Sequence, residues 1–191
     1  MTKRAIDIVL LLPDEVRQEA IRLNQMLGTK EIDFTENDIH PHISLLMGCL
    51  EEKDRERTES ILEEIARDRD PLPLQIKRIV NNGSVSFEIE KTAALQDLHE
   101  HLIARLQPHL SYAASADLFY KPEEVKENAV DYVSNFIHQA SYGHFWPHIT
   151  LGYGDFPEQA TDLAFTASRL ALCHLGKHCT CRDLLKQTRL D

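Results

Sequence analysis

Basic residues are scarce in this sequence. Of its 191 residues, 21 are Lys or Arg and 31 are Asp or Glu, so the formal net charge is −10. A broad, sequence-independent grip on long nucleic acid normally requires a basic face on the protein. The charge therefore argues against that class of partner, although it leaves a small nucleotide or the end of an RNA chain open.

Cysteines are also few, and there is no long apolar segment. The four cysteines are Cys49, Cys173, Cys179 and Cys181. Three of them fall in one short span and predict no disulfide framework, which makes a reducing cytoplasm the expected location. The N-terminal apolar run contains Asp7 and reaches Pro13 without a small-residue cleavage site, so it does not resemble a signal peptide. No segment is long enough to span a bilayer, and we expect no membrane association.

What the sequence does contain is one pentapeptide in two copies. PHISL at residues 41–45 returns as PHITL at residues 147–151. Both copies have the residue types of a β-strand and lack helical spacing, and alternate side chains on a strand share one face. In each copy, the apolar side chains that point to the opposite face would anchor the strand in a core. The side chains that would share the outer faces are His42, Ser44, His148 and Thr150.

Two such strands brought together would place two imidazoles and two hydroxyls around one point. This set suits phosphoryl transfer, because one imidazole can take a proton from the attacking oxygen while the other gives one to the leaving oxygen. Imidazole is apt since its ordinary pKa lies near neutrality. The hydroxyls can donate hydrogen bonds to phosphate oxygens as charge develops. The sequence does not indicate which histidine is the acid and which is the base.

Strands and helices alternate along the chain. The N-terminal apolar run predicts a central strand covered on both faces, and Asn81-Asn82-Gly83 predicts a β-hairpin turn. Helices are predicted from residue 13, at residues 51–70, 92–110 and 122–140 and from residue 156, with two strands at 165–190. Each pentapeptide is thus followed by helix, strand, turn and strand. This order indicates one bilobal domain over residues 1–191, with related halves at roughly 1–110 and 111–191.

The two motifs, in this order of elements, resemble those of the two-histidine phosphoesterases. This superfamily includes the bacterial 2′,5′ RNA ligase-like proteins and the cyclic phosphodiesterases. HISLLMG at residues 42–48 is similar to the family's first motif with its trailing glycine, and HITLG at residues 148–152 is similar to the second. The resemblance implies a bilobal α+β fold, in which two mainly antiparallel sheets with outer helices surround a central cleft.

The resemblance also implies an activity. This is metal-independent cleavage, without a cofactor, of a phosphodiester such as a 2′,3′-cyclic phosphate, a 2′,5′-linked nucleotide or an RNA terminus. His42 and His148 would be the acid–base pair, and Ser44 and Thr150 would hold phosphate oxygens. Many bacterial members have an arginine just after the second motif, where this chain has Tyr153. A positively charged side chain that contacts the phosphate is therefore missing, or another part of the chain supplies it. We expect the protein to act as a monomer.

Four further ring-bearing residues need an interpretation. Trp146 and Tyr153 flank the second motif, and we assign both to substrate binding because aromatic rings can stack on a base. Packing in the core or at its rim is the alternative for each of them. His99 and His101 lie off the leucine stripe of their helix and are expected to be solvated.

Two other functions remain open. A catalytically inactive module of the same fold would bind a nucleotide or an RNA end without turnover, although the intact motifs argue against it. A metal-dependent hydrolase would use the cysteine- and histidine-containing segment at residues 173–181, but its spacing departs from the usual zinc pattern. His40 and His42, with Asp38 as the nearest acid, do not complete a site either. We therefore expect no metal.

Overall fold

The computed structural model describes residues 2–27, 31–34 and 39–191. Within these residues the fold is α+β, with two antiparallel sheets and outer helices, as the resemblance implies. The strands are β1 (Lys3–Leu11), β2 (His42–Glu51), β3 (Leu72–Asn81), β4 (Val85–Ile89), β5 (Leu110–Ser111), β6 (His148–Gly152), β7 (Gln159–Ala167), β8 (Arg169–Leu175) and β9 (Cys181–Arg189). The helices are α1 (Asp14–Leu27), α2 (Arg55–Arg67), α3 (Ala93–Leu106), α4 (Glu127–Ser134) and α5 (Phe136–Gln139).

The first sheet has five strands in the order β5-β2-β1-β8-β9. Strand β1 lies in its middle and pairs antiparallel with β2 and β8. The side chains of residues 5–11 are all buried, so the prediction of a central strand covered on both faces is confirmed. One charged side chain, Asp7, lies within this apolar strand and is fully buried.

The second sheet has four strands in the order β6-β4-β3-β7. Strands β3 and β4 form the predicted hairpin, with Asn81 opposite Val85. Gly83 in the turn has a φ of 84°, a conformation that glycine adopts without steric cost. Strand β6 carries the second pentapeptide at one edge of this sheet, and it contacts β2, which carries the first.

The helices cover the sheets with their apolar faces. Helix α1 begins directly after Pro13, as predicted, and packs against β6. Helix α3 begins after Thr92, whose hydroxyl oxygen accepts a hydrogen bond from the Leu95 amide at 3.2 Å and so caps the first turn. The leucine stripe of α3 is buried. None of the described helices is long and apolar enough to cross a membrane.

Each sheet takes strands from both halves of the chain. The first combines β1 and β2 with β8 and β9, and the second combines β3 and β4 with β6 and β7. The boundary expected near residue 110 is therefore not a boundary between the two sheets. An origin by duplication of two halves stays a prediction.

Two predicted helices differ from the structure. The helix expected at 122–140 is interrupted: a single helical turn at Pro122–Glu124 precedes α4, and Asn135 (φ −107°, ψ 8°) separates α4 from α5. No α-helix follows residue 156 in the described chain, because the segment forms β7 and pairs along β3. Pairing with β3 therefore determines that this segment is a strand. Three strands follow the second motif, instead of the predicted helix and two strands.

The cysteines also depart from expectation. A disulfide joins Cys173 to Cys181, whereas Cys49 and Cys179 are free thiols. The antiparallel pairing of β8 with β9 brings the Cα atoms of Cys173 and Cys181 to 5.5 Å, within the usual range for a disulfide. The prediction of no disulfide is wrong, because strand pairing brought together residues whose spacing suggested no framework. The cysteine pattern therefore no longer supports the expectation that the protein is located in a reducing cytoplasm.

Candidate active site

The two pentapeptides form strands with the alternation that their sequences predict. On β2, Ile43 is fully buried while the flanking His42 and Ser44 remain partly exposed. On β6, His148 and Thr150 repeat this pattern around a fully buried Ile149, with Leu151 also in the core. In each copy an imidazole and a hydroxyl therefore lie on the face opposite the apolar anchor.

One cavity brings the two motifs together. Its volume is about 350 Å³, within the range of about 300–1,000 Å³ that is usual for small-molecule sites. The predicted site residues that line it are His42, Ser44, His148, Thr150 and Tyr153. Of the predicted residues, the cavity thus collects two imidazoles and two hydroxyls from two strands of different sheets, and the phenol of Tyr153 from the residue after β6.

Both motif histidines are oriented in the same way. His42 Nδ1 lies 2.7 Å from the carbonyl oxygen of His40, and His148 Nδ1 lies 2.9 Å from that of Trp146. A carbonyl oxygen only accepts, so Nδ1 of each ring carries the hydrogen. In the neutral form of each ring, Nε2 is then the atom that can accept a proton.

A buried carboxylate lies beside one of these rings. Asp7 Oδ2 is 3.5 Å from His42 Nε2, and the Asp7 side chain has no exposed surface. Burial raises the pKa of the Asp7 carboxyl, while the His42 ring, the Ser44 hydroxyl and the Leu46 amide oppose the shift. Asp7 was not predicted as a site residue. Its signal was a single charged residue in an apolar strand that was expected to be covered on both faces.

His148 has different surroundings. Exclusion of water lowers the pKa of its imidazole, the hydrogen bond to the Trp146 carbonyl opposes this, and the charge on His42 lowers it further. The Trp146 ring stacks on the His148 ring at a centroid distance of 4.2 Å. Trp146 itself is 40% exposed and lines a smaller cavity of about 140 Å³ that shares Ser44 and His148 with the larger one. It therefore lies beside the main cavity rather than in it.

The wall of the main cavity contains a chain of polar contacts that begins at Tyr153. The Tyr153 hydroxyl lies 3.2 Å from His178 Nδ1, and His178 Nε2 lies 2.9 Å from a carboxylate oxygen of Glu31. Lys126 lies 3.5 Å from the same carboxylate. These contacts join segments that are far apart in sequence, so His178 and Glu31 could not be predicted from motif spacing.

The metal alternatives receive no support from the contacts. Cys173 and Cys181 are joined in the disulfide, which removes two of the thiolates that a zinc site would use. Among residues 2–27, 31–34 and 39–191, no group of three or more His, Cys, Asp or Glu side chains is arranged to hold a metal ion. Asp38, considered with His40 and His42, lies outside the described residues.

The second motif strand is held in place by a buried amide on α1. Asn24 Nδ2 donates to the Leu151 carbonyl at 2.7 Å and to the Ile32 carbonyl at 2.9 Å. Gly152, the trailing glycine of the motif, has a φ of 147°, and a Cβ there would lie 3.2 Å from Asn24 Nδ2 and 3.0 Å from Leu27 Cδ1. Glycine is therefore required where the strand leaves the site.

His99 plays a related part for the first motif strand. Its Nδ1 donates to the Leu45 carbonyl at 2.7 Å, and its Nε2 accepts a hydrogen bond from the Tyr142 amide at 3.0 Å. The ring is fully buried and stacks on Phe145 at a centroid distance of 4.0 Å. The expectation that His99 is solvated is wrong, because the polar ring satisfies two backbone groups inside the protein. His101, by contrast, remains partly exposed.

Known proteins place this arrangement in a family. The family model described as the 2'-5' RNA ligase superfamily matches residues 12–174. None of the curated proteins matches the sequence significantly.

Solved structures share the fold at low sequence identity. The protein TT0787 of Thermus thermophilus is 18% identical, with a TM-score of 0.59 and 97% of each chain covered. A phosphoesterase is 16% identical, with a TM-score of 0.61 and 98% of each chain covered. E. coli LigT complexed with 3'-AMP is 14% identical, with a TM-score of 0.60 and 98% of each chain covered. The family match over most of the sequence and the shared fold lead to one conclusion: the chain belongs to the 2'-5' RNA ligase superfamily, the two-histidine phosphoesterases.

Proposed function

We propose that this protein is a metal-independent phosphodiesterase that uses His42 and His148 as a general acid–base pair. Its substrate is a 2′,3′-cyclic phosphate, a 2′,5′-linked nucleotide or an RNA terminus. The observation that carries the proposal is the cavity lined by both histidines and both motif hydroxyls. A phosphate placed between the two rings would be within reach of an acid, a base and two hydrogen-bond donors at once.

In the proposed reaction, one neutral imidazole accepts a proton at Nε2 from the attacking water. The new P–O bond forms on one side of the phosphorus while the bond to the leaving ribose oxygen breaks on the other. The second imidazole, protonated at Nε2, gives its proton to that oxygen. Ser44 and Thr150 donate hydrogen bonds to the phosphate oxygens, where negative charge develops.

Known structures support a nucleotide as the ligand. E. coli LigT, which shares the fold, has been crystallised with phosphate, 3'-AMP, ATP and NADP+. A cavity of about 350 Å³ with mixed polar and aromatic walls suits one nucleotide unit. The net charge of −10 supports recognition of a small or terminal phosphodiester rather than a long duplex. We further propose that the protein acts as a cytoplasmic monomer.

A panel assay tests the proposal. Wild-type protein is incubated with the four 2′,3′-cyclic nucleotides and with 2′,5′- and 3′,5′-linked dinucleotides, in the presence and absence of a chelator. We expect turnover of at least one compound at a rate that the chelator does not change. Thr166→Val, a hydroxyl change on an exposed position of β7 outside the cavity, serves as the control and should match the wild type.

Two results would contradict the proposal. Nucleotide binding without turnover across the panel would favour the binding module. Turnover that is abolished by chelation and restored by a metal ion would favour a metal-dependent hydrolase.

A further inference from the structure

Part of the wall of the main cavity is formed by two rings that the proposed acid–base reaction does not use. Tyr153 directly follows β6, and His178 lies in the turn Lys177–Cys179 between β8 and β9. The side chain of His178 is only 7% exposed. The two ring centroids are 4.9 Å apart, so the phenol and the imidazole lie against each other.

A carboxylate determines where the hydrogen of the His178 ring lies. His178 Nε2 is 2.9 Å from a carboxylate oxygen of Glu31. The hydrogen bond from His178 and the charge of Lys126 lower the pKa of the Glu31 carboxyl, which is therefore ionised at neutral pH. An ionised carboxylate only accepts, so Nε2 of His178 carries the hydrogen and donates it. In the neutral ring, Nδ1 is then an acceptor.

This arrangement determines what Tyr153 can offer to a ligand. The Tyr153 hydroxyl lies 3.2 Å from His178 Nδ1, and with Nδ1 as the acceptor the hydroxyl is the donor. Its hydrogen is thus used within the protein, and toward a ligand the phenol oxygen acts as an acceptor. A phosphate oxygen is also an acceptor and does not fit this contact. A ribose hydroxyl or a base amino group does fit, because each can donate.

The rest of this wall suits the nucleoside part of a nucleotide. Ile32, Phe34 and Ile39 line the same cavity with buried apolar side chains. A nucleobase has apolar faces and a polar edge, so it can use both kinds of surface. The Cα atoms of Thr150 and Tyr153 are at most about 11 Å apart, because they are separated by three residues. A phosphate held at Thr150 would therefore leave its nucleoside within reach of Tyr153.

The turn that carries His178 is fixed by ion pairs on both sides. Lys177 lies 3.5 Å from Glu124, and Lys126 lies 3.5 Å from Glu31. The backbone of His178 is left-handed, with a φ of 56°, a conformation that a residue with a side chain retains only where the surrounding structure imposes it. The imidazole is thus already in place before a ligand binds, which reduces the cost of binding.

We infer that Tyr153 is a specificity-determining residue that accepts a hydrogen bond from the nucleoside of the substrate, and that His178 and Glu31 are positioning residues that orient its hydroxyl. This inference rests on the proposed function for the identity of the ligand. The chemistry that the contact recognises is an N–H or O–H donor. Its source is either an amino group of the base or the 2′-hydroxyl of the ribose.

Calorimetric binding of matched ligands tests the inference. The measurements are made at alkaline pH, which favours the neutral His178 ring, with 3'-AMP and with inorganic phosphate. Loss of one neutral hydrogen bond corresponds to about 3- to 10-fold in affinity. We expect Tyr153→Phe to bind 3'-AMP about 3- to 10-fold more weakly than the wild type and to bind phosphate equally well. Equal weakening for both ligands would indicate a general disturbance of the site and would overturn the inference.

Two analogues of 3'-AMP identify the donor. Purine riboside 3'-monophosphate lacks the amino group of the base, and 2'-deoxyadenosine 3'-monophosphate lacks the ribose hydroxyl. The analogue without the group that Tyr153 contacts should bind the wild type and Tyr153→Phe with equal affinity. The other analogue should show the same loss in Tyr153→Phe as 3'-AMP. If both analogues show that loss, the hydroxyl contacts neither group and the inference is wrong.

A second variant tests the positioning role of His178. His178→Gly removes the ring at a backbone conformation that glycine adopts without steric cost. It should weaken 3'-AMP about as much as Tyr153→Phe does, and the double variant should lose little more, because both changes remove the same interaction. Tyr120→Phe is the matched control, since Tyr120 also lies against a histidine ring, that of His174, in a separate groove. It should bind every ligand as the wild type does.

Nitrogen NMR of the histidine rings gives a result that does not depend on ligand binding. At the same pH, the wild type should show hydrogen on Nε2 of His178 and a bare Nδ1, and Tyr153→Phe should shift the Nδ1 resonance. Hydrogen on Nδ1 would overturn the assigned direction of donation. If His178→Gly does not fold, Tyr153→Phe and the wild-type spectrum still decide the matter.

The outcomes separate the two proposals. If the wild type cleaves no phosphodiester but binds 3'-AMP with this dependence on Tyr153, the proposed function fails and the nucleoside contact stands. If the wild type cleaves a phosphodiester but does not bind 3'-AMP, or Tyr153→Phe binds 3'-AMP as tightly as the wild type, only the role of Tyr153 fails.

Discussion

At the scale of single residues, the site is built from a repeated local geometry. In each motif the imidazole donates from Nδ1 to the carbonyl two residues earlier, which fixes the ring and leaves Nε2 for chemistry. The same proline precedes both histidines. The motif sequence thus determines not only which residue is present but also which ring atom is available.

The motif hydroxyls should contribute to rate. Ser44→Ala and Thr150→Val each remove one hydrogen-bond donor from the cavity with little change in side-chain size. We expect kcat to fall by about 10²–10³-fold, as for loss of one preorganised donor, with a smaller change in KM. Steady-state kinetics on the compound identified by the panel measure this. A change confined to KM would mean that the hydroxyls bind the ground state and not the developing charge.

The pH profile should reflect the surroundings of His148. Burial lowers the pKa of this imidazole, which favours the neutral form that a general base needs, and we take His148 as the base for this prediction. A lowered pKa keeps the ring neutral to lower pH, so the acidic limb of kcat/KM should lie below the ordinary histidine value of about 6.5. An acidic limb above that value would contradict the role of His148 as the base.

The placement of the site residues could be predicted where the motif was local, whereas their roles stay a prediction. The sequence predicted the convergence of His42, Ser44, His148 and Thr150, which the structure places at one cavity, because alternation on a strand is readable from neighbours. It did not identify Asp7 or His178, because their contacts depend on how distant strands and turns pair. Such contacts leave no spacing pattern in the chain.

At the scale of elements, buried polar side chains connect helices to the motif strands. Asn24 on α1 holds β6 and His99 on α3 holds β2, each through main-chain carbonyls. These residues are polar in positions where the packing is otherwise apolar. Their function is to fix the strands that carry the catalytic candidates.

Loss of His99 should destabilise the protein. His99→Leu leaves the Leu45 carbonyl and the Tyr142 amide without their partner, and each unsatisfied buried group costs about 1–3 kcal/mol. Chemical denaturation should therefore show a loss of about 2–4 kcal/mol in the free energy of unfolding. The control His101→Leu, on a less buried position of the same helix, should lose less than about 1 kcal/mol. Equal losses would contradict the bridging role.

The same residue gives stability a pH dependence. Burial lowers the pKa of His99 in the folded state, so the unfolded chain takes up the proton first on acidification. The contribution of His99 is fully present above the unfolded pKa of about 6.5 and decreases as pH falls below it. The stability difference between wild type and His99→Leu should shrink in that range. A difference that grows on acidification would contradict this account.

Element prediction was accurate where local signals and sheet pairing agreed. The hairpin at Asn81-Asn82-Gly83 and the central strand β1 were both predicted from local pattern and are present. The segment that forms β7 was predicted to begin a helix. Strand β7 lies at an edge of its sheet with alternate residues exposed, and among the described strands it pairs with β3 alone. The break at Asn135 occurs without a proline or glycine, and the Asn135 side chain there donates to the Asp131 carbonyl at 2.8 Å.

At the scale of the whole molecule, each sheet is formed by strands from both halves of the chain. Strand β1 pairs with β8, and β3 pairs with β7, so each sheet requires both halves of the chain. The sequence predicted the fold class and the two antiparallel sheets through the family resemblance. The assignment of strands to sheets could not be derived from local pattern, because it is a property of long-range pairing.

Two fragments of the chain test whether each sheet depends on strands from both halves. Residues 1–110 and 111–191 expressed separately should lack cooperative thermal unfolding and dispersed amide spectra, because each loses the partner strands of both sheets. The intact chain should unfold in a single transition. A fragment that folds cooperatively on its own would indicate that the two halves are independent units.

The central claim is that two imidazoles on different sheets act on one phosphodiester. The most direct test compares the turnover of His42→Ala, His148→Ala and the double variant on the dinucleotide cleaved by the wild type. Each single change should lower kcat by about 10²–10⁴-fold, and the double variant should lose little more than the slower single one, because groups that act as a unit are not additive. A single variant with near-normal turnover, or losses that multiply in the double variant, would contradict the account.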